Sequence, residues 1–216
     1  RQMCIRDRLQ ANYPVVDIAL GHHREDQAET VLMHLFRGCG LDGLVGIRPR
    51  NAHVIRPLLF APKRAIETYV KAESIDFRVD KSNWSRRFSR NRWRHDVMPL
   101  LREVAGVDPG EKLWQTSQIL SEDQAYLADV SSEVFAAACQ RCGDYIGLPC
   151  RELRQQVCPI ANRMLRILVR VMFAEVNDLG YEHIRQLREL ALSGGGKKLM
   201  LPQKRMAFVF SDTLYM

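Results

Sequence analysis

The sequence has no apolar run approaching the roughly 18 residues of a membrane span, and its first residues lack the charged-then-apolar order of a secretory signal. These two absences predict a cytoplasmic protein that has no membrane partner. The 216 residues are 46% hydrophobic, which suffices for the core of one large or two small domains. A disordered chain is therefore excluded.

The chain has only six cysteines in 216 residues and no export signal before them. Both facts argue against a disulfide framework. Cys139 and Cys142 form a C-x-x-C, and Cys150 and Cys158 follow it. Four thiols can hold zinc, but the second pair lacks this spacing and the first pair ends a helical pattern. We therefore predict ordinary free thiols and no metal site.

Acidic residues are outnumbered, with 25 Asp and Glu against 32 Lys and Arg, so the formal net charge is +7. A basic balance favours a polyanionic partner where the basic residues cluster. They cluster in residues 82–99, "SNWSRRFSRNRWRHDVMP", which interleave Arg86, Arg87, Arg90, Arg92 and Arg94 with Trp84, Phe88 and Trp93. The mixture fits phosphate contacts and base stacking, although a solvated basic loop with core tryptophans also explains it. About five neutralised phosphates would give RNA affinity a log–log salt slope of roughly −3.5 to −4.5.

The first part of the chain follows the order strand, helix, glycine-rich turn, which is typical of α/β proteins. Residues 15–20, "VVDIAL", have the pattern of a short buried strand. A helical apolar face follows and ends before Gly38; it consists of Ala28, Val31, Leu32, Leu35 and Phe36. A second extended segment is predicted at 53–59. A second helix is predicted at 61–74, packed through Ile66, Tyr69 and Val70.

The string "GVDPGEKLW" indicates the start of a new helix, because Asp108 can cap it and Pro109 suits its first turn. We predict four segments: a leader at 1–8 that is foreign to the rest, a partial Rossmann-like parallel-sheet domain at 9–107, a linking helix at 108–145, and a small α+β domain at 146–216. The fold class is α/β.

Ionisable residues concentrate where the first strand turns into the first helix, in "GHHREDQAE". Asp26 and Glu29 are three residues apart, so both carboxylates project from one helical face, next to His22 and His23. Simple capping of the helix N-terminus is one interpretation. A metal site is another, but H-H-x-x-D-x-x-E matches no zinc spacing. A site for acid–base chemistry or nucleotide binding is the third.

Several motifs in a fixed order carry a resemblance. Residues 18–46, "IALGHHREDQAETVLMHLFRGCGLDGLVG", followed by "IRPLL", "VDKSN" and "RNRWRHDVMPLL", resemble the tRNA(Ile)-lysidine synthase family. The likeness is strong over residues 13–101 and weaker through "CPIANRMLRIL" to "GGGKKLMLP". It implies that 9–107 are the C-terminal part of a PP-loop ATP-pyrophosphatase domain of the adenine-nucleotide-α-hydrolase type. It also implies that 146–216 bind tRNA.

The family's reaction uses ATP to adenylate the C2 oxygen of the wobble cytidine of tRNA(Ile) with a CAU anticodon. The side-chain amine of free L-lysine then replaces that group, and AMP and pyrophosphate are released. The resemblance therefore implies ATP and Mg²⁺ as cofactors, tRNA(Ile) and L-lysine as partners, and it allows a homodimer.

The resemblance also implies roles for individual residues. Asp26 and Glu29 would hold the lysine amine or orient ATP and Mg²⁺, and His22 would line the nucleotide. The further substrate contacts would be His23, Arg37, Gly38, Asn83, Arg90, Asn91 and Arg94. Glu25 stands where the family has a second aspartate.

The family's S-G-G-x-D-S loop is missing from the sequence; the similar "SGGGKK" at 193–198 has Lys197 where the aspartate belongs and is predicted to be a flexible turn. The shortfall, on the order of 100 residues, leads us to expect an N-terminally truncated chain that forms no lysidine alone. Two alternatives stay open. One is a tRNA 2-thiocytidine synthetase, which needs cysteines near its active site, and the other is a non-catalytic tRNA-binding module.

Overall fold

The computed structural model of the protein describes residues 17–173, 179–194 and 196–216. The chain divides into two compact units, Arg1–Gln124 and Ala125–Met216. The predicted leader at 1–8 lies outside the described residues. Among these residues, no helix is both long enough and apolar enough to cross a membrane.

The sheet of the first unit consists of β1 (Ile18–Ala19), β2 (Arg50–Asn51) and β3 (Val54–Ile55), in the order β1-β3-β2. β1 and β3 are parallel, with Ile18 opposite Val54, as expected for an α/β protein. β2 is antiparallel to β3, because the chain reverses at Ala52, whose φ is 49°. The extended segment predicted at 53–59 is thus confirmed only at its start.

The helices of the first unit lie between and after these strands in the sequence. They are α1 (Arg24–Arg37), α2 (Leu41–Leu44), α3 (Lys63–Ala72), a 3-10 turn (Lys81–Trp84), α4 (Ser89–Arg92), a π-helical turn (Trp93–Val97) and α5 (Met98–Ala105). α1 ends at Gly38, whose φ of 76° suits glycine. The predicted apolar face is right for Ala28, Val31 and Leu32, which are buried, but wrong for Leu35 and Phe36, which are 51% and 73% exposed.

The helix predicted at 61–74 is confirmed as α3, but its packing differs from the prediction. Ile66 and Val70 are half-buried, whereas Tyr69 is 61% exposed. Spacing alone predicts which residues share a face, and it does not say how much of that face a neighbouring element covers.

The long helix begins at Pro109 as predicted and forms α6 (Pro109–Ala138). It ends before residue 145, because Cys139 follows the helix and Cys142 lies in a strand of the second unit. The assignment of this C-x-x-C to a helix end is therefore wrong for Cys142.

The second unit has an antiparallel sheet of the order β4-β5-β8-β7-β6. Its strands are β4 (Gln140–Cys142), β5 (Tyr145–Pro149), β6 (Lys198–Leu201), β7 (Arg205–Phe210) and β8 (Thr213–Tyr215). Its further helices are α7 (Cys150–Gln155), α8 (Cys158–Met172) and α9 (Tyr181–Leu192). Their apolar faces form one core with the strands, in which Leu148, Leu168, Leu187 and Leu214 are fully buried.

Candidate active site

The ionisable residues after β1 are held by the N-terminus of α1. His23 is the N-cap, and its backbone N–H donates to Asp26 Oδ2 at 3.0 Å. The Arg24 N–H donates to the Ala61 carbonyl oxygen at 3.0 Å, which fixes the helix start against the segment before α3. Asp26 thus caps α1, as the simplest interpretation of the sequence expected.

Capping does not account for all of these ionisable residues, because Asp26 and Glu29 also bind two arginines from residues 82–99, which we call the basic segment. Arg90 Nε donates to Glu29 Oε2 at 3.1 Å, and its Nη2 donates to Asp26 Oδ1 at 3.1 Å. Arg94 Nε donates to Glu29 Oε1 at 2.6 Å, and its Nη2 donates to Asp26 Oδ1 at 2.8 Å and Glu29 Oε2 at 2.9 Å. We call Asp26, Glu29, Arg90 and Arg94 the acid–arginine cluster.

The acid–arginine cluster is largely withdrawn from solvent. The side chains of Glu29 and Asp26 are 2% and 11% exposed, and those of Arg94 and Arg90 are 26% and 38% exposed. Buried carboxylates require such partners, because desolvation of an unpaired charge is costly. Burial by itself favours loss of the Arg94 charge, but the hydrogen bonds and charges of Glu29 and Asp26 outweigh it and raise the pKa of Arg94.

Arg90 and Arg94 reach the same two carboxylates because they lie four residues apart on one helical face. The start of this helical segment is fixed by Asn91, which is 9% exposed and whose Nδ2 donates to the carbonyl oxygens of Ser82 and Ser85, both at 2.9 Å. The sequence suggested a substrate contact for Asn91; both of its amide hydrogens are used within the protein.

Asn83, another predicted substrate contact, is exposed, and its backbone carbonyl oxygen accepts from His95 Nε2 at 3.0 Å.

The two histidines have different partners at the helix start. His22 Nδ1 accepts a hydrogen bond from Arg56 Nε at 3.2 Å. Burial lowers the pKa of His22, and the charges of Arg56 and Arg90 add to this, while Asp26 opposes it. The His23 ring lies between two carboxylates, with Nδ1 3.0 Å from Glu25 Oε2 and Nε2 3.3 Å from Asp26 Oδ2.

Glu25 joins the cluster to the next helix. Its Oε2 accepts from the backbone N–H of Lys63, the first residue of α3, at 2.9 Å. Burial tends to raise the pKa of Glu25, but the hydrogen bonds from the His23 ring and from Lys63 lower it below its usual value. The glutamate that stands here in place of the family's second aspartate is therefore held by the Lys63 N–H and the His23 ring.

Two cavities border these residues within the first unit. A small one of about 120 Å³ is lined by His23, Glu25, Glu29, Lys63, Arg94, Met98, Pro99 and Arg102. A larger one of about 960 Å³ is lined by Glu25, Pro62, Arg64, Ala65, Thr68, Tyr69, Ala72, Arg102 and Asp108. Glu25 and Arg102 line both, so carboxylate and guanidinium groups face the same space. Such a lining suits a small ligand that carries both charges.

Gln27, which the sequence reasoning missed, connects three segments. It is 1% exposed, and its Nε2 donates to the Val45 carbonyl oxygen at 2.6 Å and to Ser117 Oγ at 3.0 Å. Its Oε1 accepts from the Ile47 N–H at 2.6 Å. A Cβ at Gly46 would lie 2.7 Å from this oxygen, so glycine is needed there. The glycines of the 38–46 stretch were the only local sign of this close approach.

Arg37 and Gly38 are not brought to the acid–arginine cluster. They lie at the C-terminal end of α1, roughly 16 Å along the helix from Asp26 at about 1.5 Å per residue. Arg37 is exposed there. The structure therefore separates these two predicted contacts from the others.

The remaining arginines of the basic segment differ from Arg90 and Arg94. Arg86 pairs with Asp96 at 2.8 Å, whereas Arg87 and Arg92 are exposed and have no ion-pair partner in the described part of the chain. Trp84 and Phe88 are 69% and 57% exposed. Phosphate contacts by about five arginines stay a prediction, and three of the five have carboxylate partners in this structure.

Trp93 differs from the other aromatic residues of this segment. It packs on the core formed by Ala28, Leu32 and Met98 and lies 5.1 Å from the Phe36 ring, between centroids. The interpretation of the tryptophans as core residues is therefore right for Trp93 and wrong for Trp84.

Within the described residues, no group of three or more His, Cys, Asp and Glu side chains has a metal-binding arrangement. The oxygens of Asp26 and Glu29 already accept N–H donors. Mg²⁺ needs carboxylate oxygens that are free to coordinate, so this arrangement does not fit a bound Mg²⁺.

Comparison with known proteins shows what the part of the chain with this geometry is similar to. Residues 4–101, which include the whole acid–arginine cluster, match the model of the PP-loop domain family. The resemblance noted in the sequence is confirmed: residues 4–101 are similar to a PP-loop domain, and the described part of the first unit has a mixed α/β structure.

Curated relatives extend this likeness beyond the PP-loop domain. The tRNA(Ile)-lysidine synthase of Caldanaerobacter subterraneus is 35% identical over 185 residues, 86% of this chain and 40% of its own length. That of Symbiobacterium thermophilum is 36% identical over 211 residues, 91% of this chain and 43% of its own. That of Geobacter sulfurreducens is 32% identical over 195 residues, 87% of this chain and 40% of its own. The chain thus spans less than half the length of these relatives.

Proposed function

We propose that the chain takes part in the ATP-dependent ligation of L-lysine to the wobble cytidine of tRNA(Ile) with a CAU anticodon. The observation that carries this proposal is the acid–arginine cluster, in which Arg90 and Arg94 of the basic segment reach Asp26 and Glu29. A carboxylate pair suits an ammonium substrate, and guanidinium groups suit phosphate. The relatives named as tRNA(Ile)-lysidine synthases support the choice of these two substrates.

The proposed reaction has two steps. The cytidine C2 oxygen attacks the α-phosphorus of ATP and releases pyrophosphate. The lysine side-chain amine then forms a bond to C2, loses a proton and displaces AMP. The chain's own residues contribute recognition and proton handling, and no step is assigned to Mg²⁺.

Lysine recognition requires the acid–arginine cluster to exchange partners. Both carboxylates are occupied by guanidinium groups in this structure. RNA phosphate is a competing partner for Arg90 and Arg94, and their departure would leave Asp26 and Glu29 to the lysine ammonium. Asp26, the more exposed of the two, is the proposed proton acceptor. RNA and lysine binding would then be coupled.

The cavities beside Glu25 are the proposed lysine pocket. Glu29 and Arg94 line the smaller one. Arg102 lines both and is the proposed cationic partner of the lysine carboxylate, which would compete with Asp108, 2.9 Å from Arg102. His23 orients Glu25 and Asp26 between the pocket and the helix start. His22 is the proposed neighbour of the nucleotide, where its lowered pKa keeps it neutral near pH 7.

The exposed residues of the basic segment are the proposed RNA contacts, with Arg87 and Arg92 for phosphate and Trp84 and Phe88 for bases. Two neutralised phosphates give a log–log salt slope of roughly −1.4 to −1.8. Partner exchange by Arg90 and Arg94 would add two more and make the slope steeper. The family resemblance also leads us to propose substrate contacts by Asn83, Arg37 and Gly38. It further leads us to propose tRNA binding by residues 146–216 and a homodimer.

Calorimetry tests the proposal. L-lysine is titrated into the chain with and without a tRNA(Ile) transcript that has a CAU anticodon. We expect binding with RNA, little without it, and loss on Glu29→Gln. The control is Glu67→Gln, because Glu67 is an exposed residue of α3. Absence of lysine binding under both conditions would refute the proposal.

Incorporation of labelled lysine with ATP is measured in parallel. We expect no incorporation by this chain alone, because its sequence lacks an S-G-G-x-D-S loop. Incorporation would refute that expectation and support the ligase assignment directly. The names of the relatives favour lysidine formation over 2-thiocytidine formation.

A further inference from the structure

A third cavity of the first unit has no part in the proposed reaction. It measures about 440 Å³, within the size range of small-ligand sites, and lies beside the ends of β2 and β3 and the start of α6. Its apolar walls are formed by Pro49, Ile55, Pro57, Leu59, Phe60 and Trp114. Its polar lining consists of Arg50, Arg56 and Gln118.

The aromatic wall of this cavity is held by one guanidinium group. Arg24 lies over the Trp114 ring, 5.3 Å from its centroid. The same side chain donates from Nε and Nη2 to the Phe60 carbonyl oxygen, both at 3.3 Å. Phe60 is nevertheless 65% exposed. Arg24 therefore holds the Trp114 ring and the Phe60 backbone, while the Phe60 ring stays open to a ligand.

The charge of this cavity differs from that of the proposed lysine pocket. Glu25 and Asp108 line the latter, whereas the residues that line the third cavity include two arginines and no carboxylate. Arg50 is held by Asp17 at 2.9 Å, and Arg56 Nη1 donates to the Arg48 carbonyl oxygen at 2.7 Å. Aromatic and proline surfaces beside guanidinium groups suit a planar base that carries a phosphate.

Arg56 connects this cavity to the candidate active site, because its Nε donates to His22 Nδ1 at 3.2 Å. His22 in turn lies within the electrostatic influence of Asp26 and Arg90. We propose that the third cavity holds an unpaired nucleobase of the RNA, next to the nucleotide that reacts at the acid–arginine cluster. This inference rests on the proposed function, since it assumes that single-stranded RNA reaches that cluster.

A fluorescent base tests the inference on the full chain. The probe is an anticodon stem-loop RNA with a CAU anticodon in which 2-aminopurine replaces each loop base in turn, except the wobble cytidine. We expect one position to change its emission on binding, and Phe60→Ala to abolish that change and weaken binding about five-fold or more. Folding should be unaffected, because Phe60 is mostly exposed, and thermal unfolding checks this.

The matched control is Phe77→Ala, because Phe77 is 67% exposed and does not line the cavity. The control should keep both the emission change and the affinity. RNA binding that is the same for Phe60→Ala and the unaltered chain would overturn this inference and leave the proposed function standing. Failure of the unaltered chain to bind the RNA would overturn both.

Discussion

The second unit buries Leu148, Leu168 and Leu187 completely, whereas the first unit buries Glu29 and Gln27 to 1% exposure. Among residues 17–173, 179–194 and 196–216, the larger apolar core belongs to the second unit. In the first unit, the core cluster around α1 consists of Ala28, Leu32 and Met98. One unit thus depends on apolar packing and the other on paired polar groups.

The difference follows from what each kind of burial requires. Apolar burial is non-directional and stabilises without specific partners. A buried carboxylate or amide is tolerated only while each of its hydrogen-bonding atoms has a partner. The first unit is therefore expected to respond to single polar substitutions, to salt and to pH, whereas the second is expected to respond to loss of side-chain volume.

The largest expected effect is in the second unit. Leu168→Ala should destabilise it by about 3–5 kcal/mol, because Leu168 is fully buried in α8. Hydrogen exchange at the α8 amides measures this. Val171→Ala is the control, because Val171 is 50% exposed. Unchanged α8 protection in Leu168→Ala would contradict the role given to apolar packing.

The corresponding test in the first unit is Arg94→Met, which leaves Glu29 buried with only Arg90 as its partner. We expect a loss of about 3 kcal/mol, seen as faster exchange at the α1 amides. The double change Glu29→Met with Arg94→Met should recover much of this, because an apolar pair needs no partner. Arg86→Met is the control, since its pair with Asp96 is exposed. A double variant no better than Arg94→Met would contradict the ion-pair argument.

The sequence could predict the acidic face of α1 because that face depends on local spacing. Asp26 and Glu29 share it as expected, and Gly38 ends the helix. The partners of these carboxylates could not be read in the same way. Arg90 and Arg94 are more than 60 residues away in sequence, and an arginine pattern has the same form whether it faces phosphate or carboxylate.

Errors elsewhere in the fold have similar causes. Leu35 and Phe36 continue the apolar period of α1, but they stay 51% and 73% exposed although the Trp93 ring contacts Phe36. Cys142 was assigned to the end of α6 because the residues before it have a helical composition. It lies in a strand instead, and Gly143, with a φ of 60°, forms the hairpin turn directly after it. That glycine was a usable local signal for the end of the helical pattern.

A smaller effect is expected from Gln27→Leu. The change leaves the Val45 carbonyl oxygen and the Ile47 N–H without their buried partner, which should cost about 1–3 kcal/mol. Hydrogen exchange at the Ile47 amide is the local measurement. Gln115→Leu is the control, because Gln115 lies on the exposed face of α6. Equal effects of the two substitutions would show that the buried amide does not stabilise the first unit.

The smallest expected effect is the pH response of the first unit through His22. Its pKa in the folded chain lies below the usual 6.5, mainly because of burial, so the unfolded chain takes up a proton first as the pH falls. His22 therefore leaves stability unchanged well above pH 6.5 and reduces it progressively as the pH falls below that value. Urea unfolding between pH 7.5 and pH 5.5 should show a shallower loss of stability in His22→Gln than in the unaltered chain. Identical slopes would mean that His22 is not held neutral by the fold.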